Sequence, residues 1–182
     1  TGLTQIYSFP TTGTTLVYTP HIDIDAKGER IIWCDWVGEG EIFTSNSDGS
    51  VQNKIITLLP NPNPILADMK PNIKSPPRLT ADGGEVYFIH NHPDTYADGI
   101  WSVRTNGTNL KQVFNFVELA KKAFDNDLSD LTEAWSGYID KFDISANADK
   151  IYVGTQFFKI RNGDIDRGNL SVYANGTYYR LG

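Results

Sequence analysis

The sequence predicts an all-β protein built from repeated four-stranded antiparallel units, with one inserted helical segment. One pattern carries this prediction: it occurs at residues 24–33, 79–88 and 144–153. In each copy an apolar residue precedes a polar turn, a charged residue and a run of β-branched and aromatic residues. Each copy predicts a first hairpin, and residues typical of a second hairpin follow it. Because internal repetition of this kind defines the architecture, we expect function to lie on a composite surface rather than in one local motif.

Each repeat begins with a turn that leads into a short apolar strand. The predicted strands, at residues 31–33, 86–89 and 151–153, are runs of β-branched and aromatic residues without strict apolar and polar alternation. Short runs bounded by turn residues favour strands that are covered on both faces. We therefore expect each sheet to be sandwiched between neighbouring sheets.

The second hairpin of each unit turns at an Asp-Gly or Asn-Gly pair. These pairs are Asp48-Gly49, Asn106-Gly107 and Asn175-Gly176, and both kinds tolerate the positive φ values that a tight hairpin requires. The N-terminus carries only this second half, which runs to Thr12-Gly13. The third unit is expected to contain a longer loop at residues 157–168.

The repeats divide the chain into a half unit and three full units. The half unit covers residues 1–18, and the full units cover about 19–58, 75–116 and 138–182. Residues 59–75 are rich in proline, which fixes φ and lacks an N–H donor, so we expect an irregular surface loop there.

The second connecting segment, residues 117–137, has a different character. Its apolar residues recur at steps of three and four, which is typical of one face of a helix. These residues are Val117, Ala120, Phe124, Leu128 and Leu131. We expect an inserted helix that packs against the sheets.

Composition limits the classes of partner. The chain has 182 residues and a net charge of −6. Nucleic-acid-binding proteins neutralise phosphates with a basic surface, so this acidity argues against a nucleic-acid partner. No apolar run approaches the roughly 18 residues that a membrane helix needs, so we expect no membrane insertion. Cys34 is the only cysteine, which excludes an intramolecular disulfide and favours a buried packing thiol.

The repeated units resemble those of TolB-like β-propellers, known as the PD40 or WD40-like repeat. That repeat reads apolar-Ser-Pro-Asp-Gly-x-x followed by three apolar residues, and then a hairpin with Asp-Gly. Residues 24–31 (IDAKGERI) resemble its first turn, and residues 41–50 (EIFTSNSDGS) resemble its second. The resemblance covers nearly all of the chain outside the two connecting segments. No unit keeps the Pro-Asp-Gly turn intact; Asp82-Gly83 comes closest, with Ala81 in the proline position.

The resemblance implies four-stranded blades arranged radially around a channel. It also implies a non-catalytic module for protein–protein interaction or ligand binding in the periplasm or outside the cell, without a cofactor. Two alternatives stay open: the propeller part of a metal-assisted polysaccharide lyase or of a peptidase, and a self-assembling structural repeat protein. No Gly-x-Ser-x-Gly nucleophile turn occurs, so the chain does not itself encode a serine hydrolase.

One half unit and three full units are too few to form a closed propeller, which uses about four to eight blades. Three interpretations of the chain are therefore open. The chain is a fragment of a longer propeller, its open faces meet a second copy, or the helical insert covers those faces. The predicted partner is therefore a protein or a second copy of the chain itself.

The loop after residue 89 is the candidate metal site. His90 and His92 are two residues apart, so both side chains lie on one side of an extended chain, and Asp94 offers a third ligand. Asn91 and Pro93 are equally typical of a polar turn without a metal.

The first strands of the units supply the candidate ligand-binding residues. Asp23, Arg78 and Asp143 occupy equivalent positions, where the resemblance implies that they line the channel. Such residues either bind a polar ligand or satisfy one another and the channel water. Trp36, in a polar loop, is a further candidate because its ring could stack on a sugar or on a partner residue. No catalytic residue is assigned.

Overall fold

The computed structural model describes residues 21–35, 41–56, 75–90, 99–115, 135–161, 164–168, 172–174 and 177–179. The described residues form antiparallel strands connected by turns and bends, with no helix among them. The predicted all-β class is therefore confirmed for these parts of the chain. Over the same residues, no helix is long and apolar enough to cross a membrane.

The first two sheets each contain four antiparallel strands in chain order. Sheet 1 consists of β1 (His21–Ile24), β2 (Arg30–Asp35), β3 (Glu41–Asn46) and β4 (Asn53–Ile56). Sheet 2 consists of β5 (Arg78–Leu79), β6 (Glu85–His90), β7 (Gly99–Arg104) and β8 (Lys111–Asn115). The β-rich runs that the sequence identifies form β2 and β6, the second strand of each sheet.

Sheet 3 has five strands in four lateral positions. It consists of β9 (Trp135–Ile144), β10 (Lys150–Arg161), β11 (Asp164–Gly168), β12 (Val172–Ala174) and β13 (Thr177–Tyr179). One edge of β10 pairs with β9; the other pairs with β11 along the later half of β10 and with β12 along its start. Because β11 and β12 share the third position, the four-position plan of the other two sheets is kept.

Two sequence expectations need correction in sheet 3. Strand β9 begins at Trp135, so residues 135–137, the end of the predicted helical insert, are extended. The predicted loop at 157–168 is largely a hairpin in which Phe157 pairs with Gly168 and Arg161 with Asp164. The sequence signal for this hairpin is Asn162-Gly163, a pair typical of two-residue turns.

Three other predicted segments lie outside the described residues. They are the half unit at 1–18, nearly all of the proline-rich segment at 59–75, and residues 117–134 of the predicted insert. Their predicted structures stay predictions.

The first turn of each sheet is closed by one polar side chain at its start. Asp25 Oδ1 accepts hydrogen bonds from the N–H groups of Glu29 and Arg30, at 2.8 and 3.2 Å. In sheets 2 and 3 a hydroxyl oxygen at the equivalent position accepts from the residue five positions later. These bonds are Glu85 N to Thr80 Oγ1 at 3.0 Å and Lys150 N to Ser145 Oγ at 2.9 Å. The equivalence of the three turns therefore extends to their hydrogen bonds.

The second hairpins of sheets 1 and 2 also repeat one geometry. Asp48 Oδ1 accepts from the N–H of Ser50 at 2.8 Å, and Asn106 Oδ1 accepts from the N–H of Thr108 at 3.0 Å. The glycine after each of these residues has a φ of 81°. The predicted Asp-Gly and Asn-Gly turns are thus confirmed at these two places, because only a residue that tolerates positive φ suits this position.

The sheets are held together by two apolar clusters, one at each junction. The cluster between sheets 1 and 2 contains Ile32, Cys34, Ile42, Ile55, Leu79, Val86, Phe88, Trp101 and Val103. The cluster between sheets 2 and 3 contains Tyr87, Ile89, Ile100, Phe114, Ile139, Phe142, Ile151 and Val153. Sheet 2 contributes to both clusters, so it is apolar on both faces, as its unalternating sequence predicts. Cys34 is fully buried.

Candidate binding site on the first strands

The first strands of the three sheets bring distant charged residues together. Asp23 in β1, Arg78 in β5 and Asp143 in β9 each lie two residues before the side chain that closes the first turn. We call these three residues the first-strand row. Their equivalence in sequence becomes closeness in space because the sheets pack in series with their first strands on the same side.

The first two members of the first-strand row, Asp23 and Arg78, each contact the next sheet. Asp23 Oδ2 accepts a hydrogen bond from the backbone N–H of Leu79, at 2.8 Å. Arg78 Nε donates to Asp143 Oδ1 at 3.0 Å, which makes an ion pair between residues 65 positions apart in sequence. The row therefore crosses both junctions, and its charges alternate from negative to positive to negative.

The two carboxylates in the row are also oriented by their own strands. Asp23 Oδ1 accepts from the N–H of Ile24, and Asp143 Oδ1 accepts from the N–H of Ile144, both at 3.0 Å. These short-range bonds fix the rotamers before any ligand binds. The side chain of Asp143 is nevertheless 68% exposed, against 30% for Arg78. The Asp143 end of the row is therefore the part that a solvent-borne ligand can reach.

His21 adds a titratable group to the same region. It precedes Asp23 by two residues in β1, so the two side chains share a face of the strand. Burial, and secondarily the positive charge of Arg78, lowers the pKa of His21 below its ordinary value of about 6.5. At neutral pH the region therefore presents an uncharged imidazole beside one cation and two anions.

The other predicted site residues cannot be placed in the same way. His90 ends strand β6, but its side chain is not described, and Trp36, His92 and Asp94 lie outside the described residues. Among the side chains that are described, no group of three or more His, Cys, Asp or Glu residues could hold a metal ion. The proposed metal site at 90–94 is thus neither supported nor contradicted.

The structure also shows a cleft that sequence reasoning missed. It has a volume of about 500 Å³ and lies between the first turns of sheets 2 and 3. Its lining includes Thr80, Asp82, Glu85, Arg104, Lys111 and Asn147. These residues come from the turns and from strands β6 to β8, so no local spacing in the sequence could have indicated the cleft.

Glu85 is the most connected residue of this cleft. Tyr87 Oη donates to one of its carboxylate oxygens and Ser102 Oγ to the other, both at 3.0 Å, and Lys111 Nζ lies 3.3 Å away. Burial, followed by the charge of Glu85, raises the pKa of Tyr87 well above its ordinary value. Because the carboxylate already has three partners, Glu85 is a structural acceptor across β6, β7 and β8.

Comparison with known proteins yields distant likenesses among solved structures. No protein-family model matches the chain, and no curated protein sequence matches it. The chain is similar to TolB from Acinetobacter baumannii at 12% identity and a TM-score of 0.48, over 91% of this chain and 34% of that one. It is also similar to a provisionally assigned 6-phosphogluconolactonase from Bacteroides uniformis, at 16% identity and a TM-score of 0.43, over 88% and 42% of the two chains.

A third solved structure is similar to the chain at a lower TM-score. A provisionally assigned TolB from Agrobacterium tumefaciens is 15% identical, with a TM-score of 0.30 over 84% of this chain and 65% of that one. The chain thus spans about a third of the Acinetobacter protein. These identities and TM-scores are too low to indicate a function for this chain.

Proposed function

We propose that this chain is a non-catalytic β-propeller repeat module that binds a basic protein segment at the first-strand row. The observation that carries the proposal is the arrangement of Asp23, Arg78 and Asp143 across two sheet junctions, with one carboxylate largely exposed. The propeller arrangement, and a location in the periplasm or outside the cell, follow from the resemblance of the repeats to TolB-like units.

The charge of the row favours a cationic ligand. Arg78 is already paired with Asp143, so two carboxylates and one guanidinium leave an excess of one negative charge. The whole chain carries a net charge of −6. A guanidinium or ammonium group is therefore attracted over a distance and can then share Asp143, whose side chain is 68% exposed.

A labelled peptide tests this proposal directly. Binding of fluorescein-labelled Gly-Arg-Gly-Arg-Gly, followed by anisotropy at low salt, is expected to be stronger than binding of the glutamate analogue. Asp143→Asn should weaken the arginine peptide roughly two- to fivefold, because an exposed ion pair contributes modestly. Added salt should reduce the difference.

A matched variant distinguishes an effect of the first-strand row on peptide binding from an effect of the overall net charge. Glu29→Gln also removes one negative charge, but from the turn between β1 and β2. We expect it to leave peptide affinity nearly unchanged. Equal binding of the two peptides, or equal effects of the variants at Asp143 and Glu29, would show that the row is a structural ion pair and not a binding site.

A further inference from the structure

The cleft between sheets 2 and 3 opens at a position that a side chain bridges between sheets 1 and 2. Strand β2 begins with Arg30, whose Nη1 atom donates to Gly83 O at 3.3 Å and to Thr105 Oγ1, both in sheet 2. Sheet 2 has Glu85 at the equivalent position, the first residue of β6. The described partners of Glu85 all belong to sheet 2, so its side chain does not extend to sheet 3. The junction of sheets 2 and 3 therefore has an open cleft where the other junction has an arginine bridge.

One wall of the cleft is the polar end of the face that sheet 2 presents to sheet 3. Glu85 pairs with Arg104 across β6 and β7, and Tyr87 pairs with Ser102 in the next row on the same face. Ser102 in turn pairs with Lys111 across β7 and β8. Because Tyr87 belongs to the apolar cluster between sheets 2 and 3, both rows face sheet 3. This wall therefore holds two cations beside one carboxylate.

The opposite wall is the first turn of sheet 3. Its Ala146 carbonyl accepts a hydrogen bond from Ala81 N at 2.8 Å, which joins the two turns along one edge of the cleft. The next residue, Asn147, lines the cleft and is exposed. The cleft volume of about 500 Å³ is within the range of roughly 300–1,000 Å³ that is usual for small-molecule sites. A small polar molecule therefore fits between the two walls.

Arg104 contributes hydrogen-bond donors to this space. Its backbone is fixed, because its N–H donates to Thr108 O at 2.9 Å and its carbonyl accepts from Gly107 N at 2.8 Å. The residue is exposed, and within the described part of the chain its guanidinium has no hydrogen bond or ion pair. A guanidinium offers only donors, and its planar fork binds a carboxylate through two parallel hydrogen bonds. Arg104 therefore favours an anionic ligand.

The carboxylates of the cleft are already engaged within sheet 2. Glu85 has the three partners given above, and Asp82 Oδ1 accepts from Thr80 Oγ1 at 2.6 Å and from Gly84 N at 3.0 Å. These two bonds lower the pKa of Asp82, so it is ionised at neutral pH. The two carboxylates and two cations of the lining sum to zero charge. A ligand with one negative charge therefore suits the cleft better than a phosphate ester, which carries nearly two.

The rest of the lining selects for a hydroxylated molecule. Thr80, Asn109 and Asn147 supply hydroxyl and amide groups, and Ala81 and Ala146 are small. The lining that the structure describes holds no large apolar or aromatic side chain. An apolar acid would therefore bury little apolar surface here, whereas hydroxyl groups can exchange hydrogen bonds with both walls.

We propose that this cleft binds a small carboxylic acid whose remaining groups are hydroxyls, with its carboxylate on Arg104. Lys111 lies on the same wall as a second cation. The amides of Asn109 and Asn147 bind the hydroxyls from the two sides of the cleft. This site is separate from the first-strand row, and the proposal does not depend on the peptide-binding function above.

A nuclear magnetic resonance titration of the isotope-labelled full chain tests the proposal with probes of one carbon-chain length. L-Threonate has a carboxylate and hydroxyls, threitol lacks the carboxylate, and butyrate lacks the hydroxyls. Threonate should shift the Nε–H signal of Arg104 and the amide signals of Gly84 and Asn147, with a Kd of about 1–10 mM because the ligand is small. Threitol, butyrate and inorganic phosphate should each bind at least roughly fivefold more weakly. An ionic strength of about 0.15 M screens the net negative charge of the chain.

Two variants change the cleft by using residues that the other sheets have at the same positions. Arg104→Asn introduces the residue type of Asn46 in sheet 1, and Asn147→Asp introduces that of Asp82 in sheet 2. Arg104→Asn should weaken threonate binding roughly tenfold or more, because the charge-assisted hydrogen bonds are lost. Asn147→Asp should weaken it roughly three- to fivefold by repulsion. Lys54→Gln, which removes a positive charge from β4 in sheet 1, is the control and should leave the affinity unchanged.

Four results would overturn the proposal. The first is the absence of shifts at the cleft residues up to about 50 mM threonate. The second is an equal effect of Arg104→Asn and Lys54→Gln, with both variants folded by circular dichroism, which would indicate unspecific attraction. Butyrate that binds as tightly as threonate would exclude the hydroxyl contacts, and phosphate that binds more tightly would exclude a carboxylate ligand. None of these results affects binding of the arginine peptide at the first-strand row, so the two proposals are tested separately.

Discussion

Val51 offers the sharpest test of the repeat geometry at a single residue. Its φ of 52° is in the left-handed region, where a β-branched side chain is strained. The equivalent residue of sheet 2 is Asn109, with a φ of 57°, and asparagine is among the few residues that tolerate this conformation. We therefore consider the reciprocal substitutions Val51→Asn and Asn109→Val.

The magnitude follows from conformation and exposure. The left-handed conformation costs a residue with a Cβ about 1–2 kcal/mol, most of which asparagine avoids. Val51 is 66% exposed, so its replacement sacrifices about a third of the roughly 1.5–3 kcal/mol that full burial of such a side chain contributes. Val51→Asn should therefore stabilise the fold by about 0.5–1 kcal/mol. Asn109→Val should destabilise it by about 1–2 kcal/mol.

Thermal and urea unfolding of both variants beside the parent chain would measure these effects. For a domain of this size, each kcal/mol shifts the Tm by roughly 2–4 °C. A small rise is thus expected for Val51→Asn and a larger fall for Asn109→Val. If Val51→Asn were neutral or destabilising while Asn109→Val had no effect, the two hairpins would not share one geometry.

Four further predictions concern single residues. In urea unfolding, Gly83→Ala should destabilise the fold more than Gly28→Ala. A Cβ at Gly83 would lie 3.0 Å from the carboxylate oxygen Oδ2 of Asp25, whereas a Cβ at Gly28 would have no neighbour closer than 4.0 Å. Equal losses would contradict the close approach of the sheets. Gly99→Ala should prevent normal folding, seen as lost circular dichroism or insoluble expression, since its Cβ would be 1.8 Å from a carbonyl oxygen of β8. Arg78→Met should raise the pKa of His21 in an NMR titration, because a neighbouring positive charge is removed while burial stays. The lowered pKa also predicts that stability in the parent chain falls as the pH drops below about 6.5, where the unfolded histidine gains a proton first.

The sequence was most informative about turns. Asp-Gly and Asn-Gly pairs identify hairpins because the φ of the glycine is a local requirement that few residues meet, and Gly49 and Gly107 have that φ. The same rule applied to Asn162-Gly163 would have replaced the predicted loop at 157–168 with the observed hairpin of β10 and β11. The sequence therefore does contain a local signal for this hairpin.

The helical pattern failed at its C-terminal end for a different reason. Trp135 lies within the predicted helical insert at 117–137, yet it begins the long strand β9, which pairs with β10 as far as Lys159. Apolar spacing over a few residues is compatible with either structure, and here pairing with a neighbouring strand decides between them.

What the sequence determined by itself is the repeating unit: its strands, its turns and the residues that are equivalent between units. These depend on φ preferences, side-chain hydrogen bonds a few positions away and apolar runs, all of which are local. The tertiary structure alone decided which equivalent residues meet. Arg78 pairs with Asp143, and Asp23 binds the N–H of Leu79, because buried apolar clusters hold the sheets in series. The same packing leaves Ile22, Ile24 and Tyr152 exposed at the two outer sides, since burial depends on which sheet lies opposite and not on the residue's own neighbours in sequence.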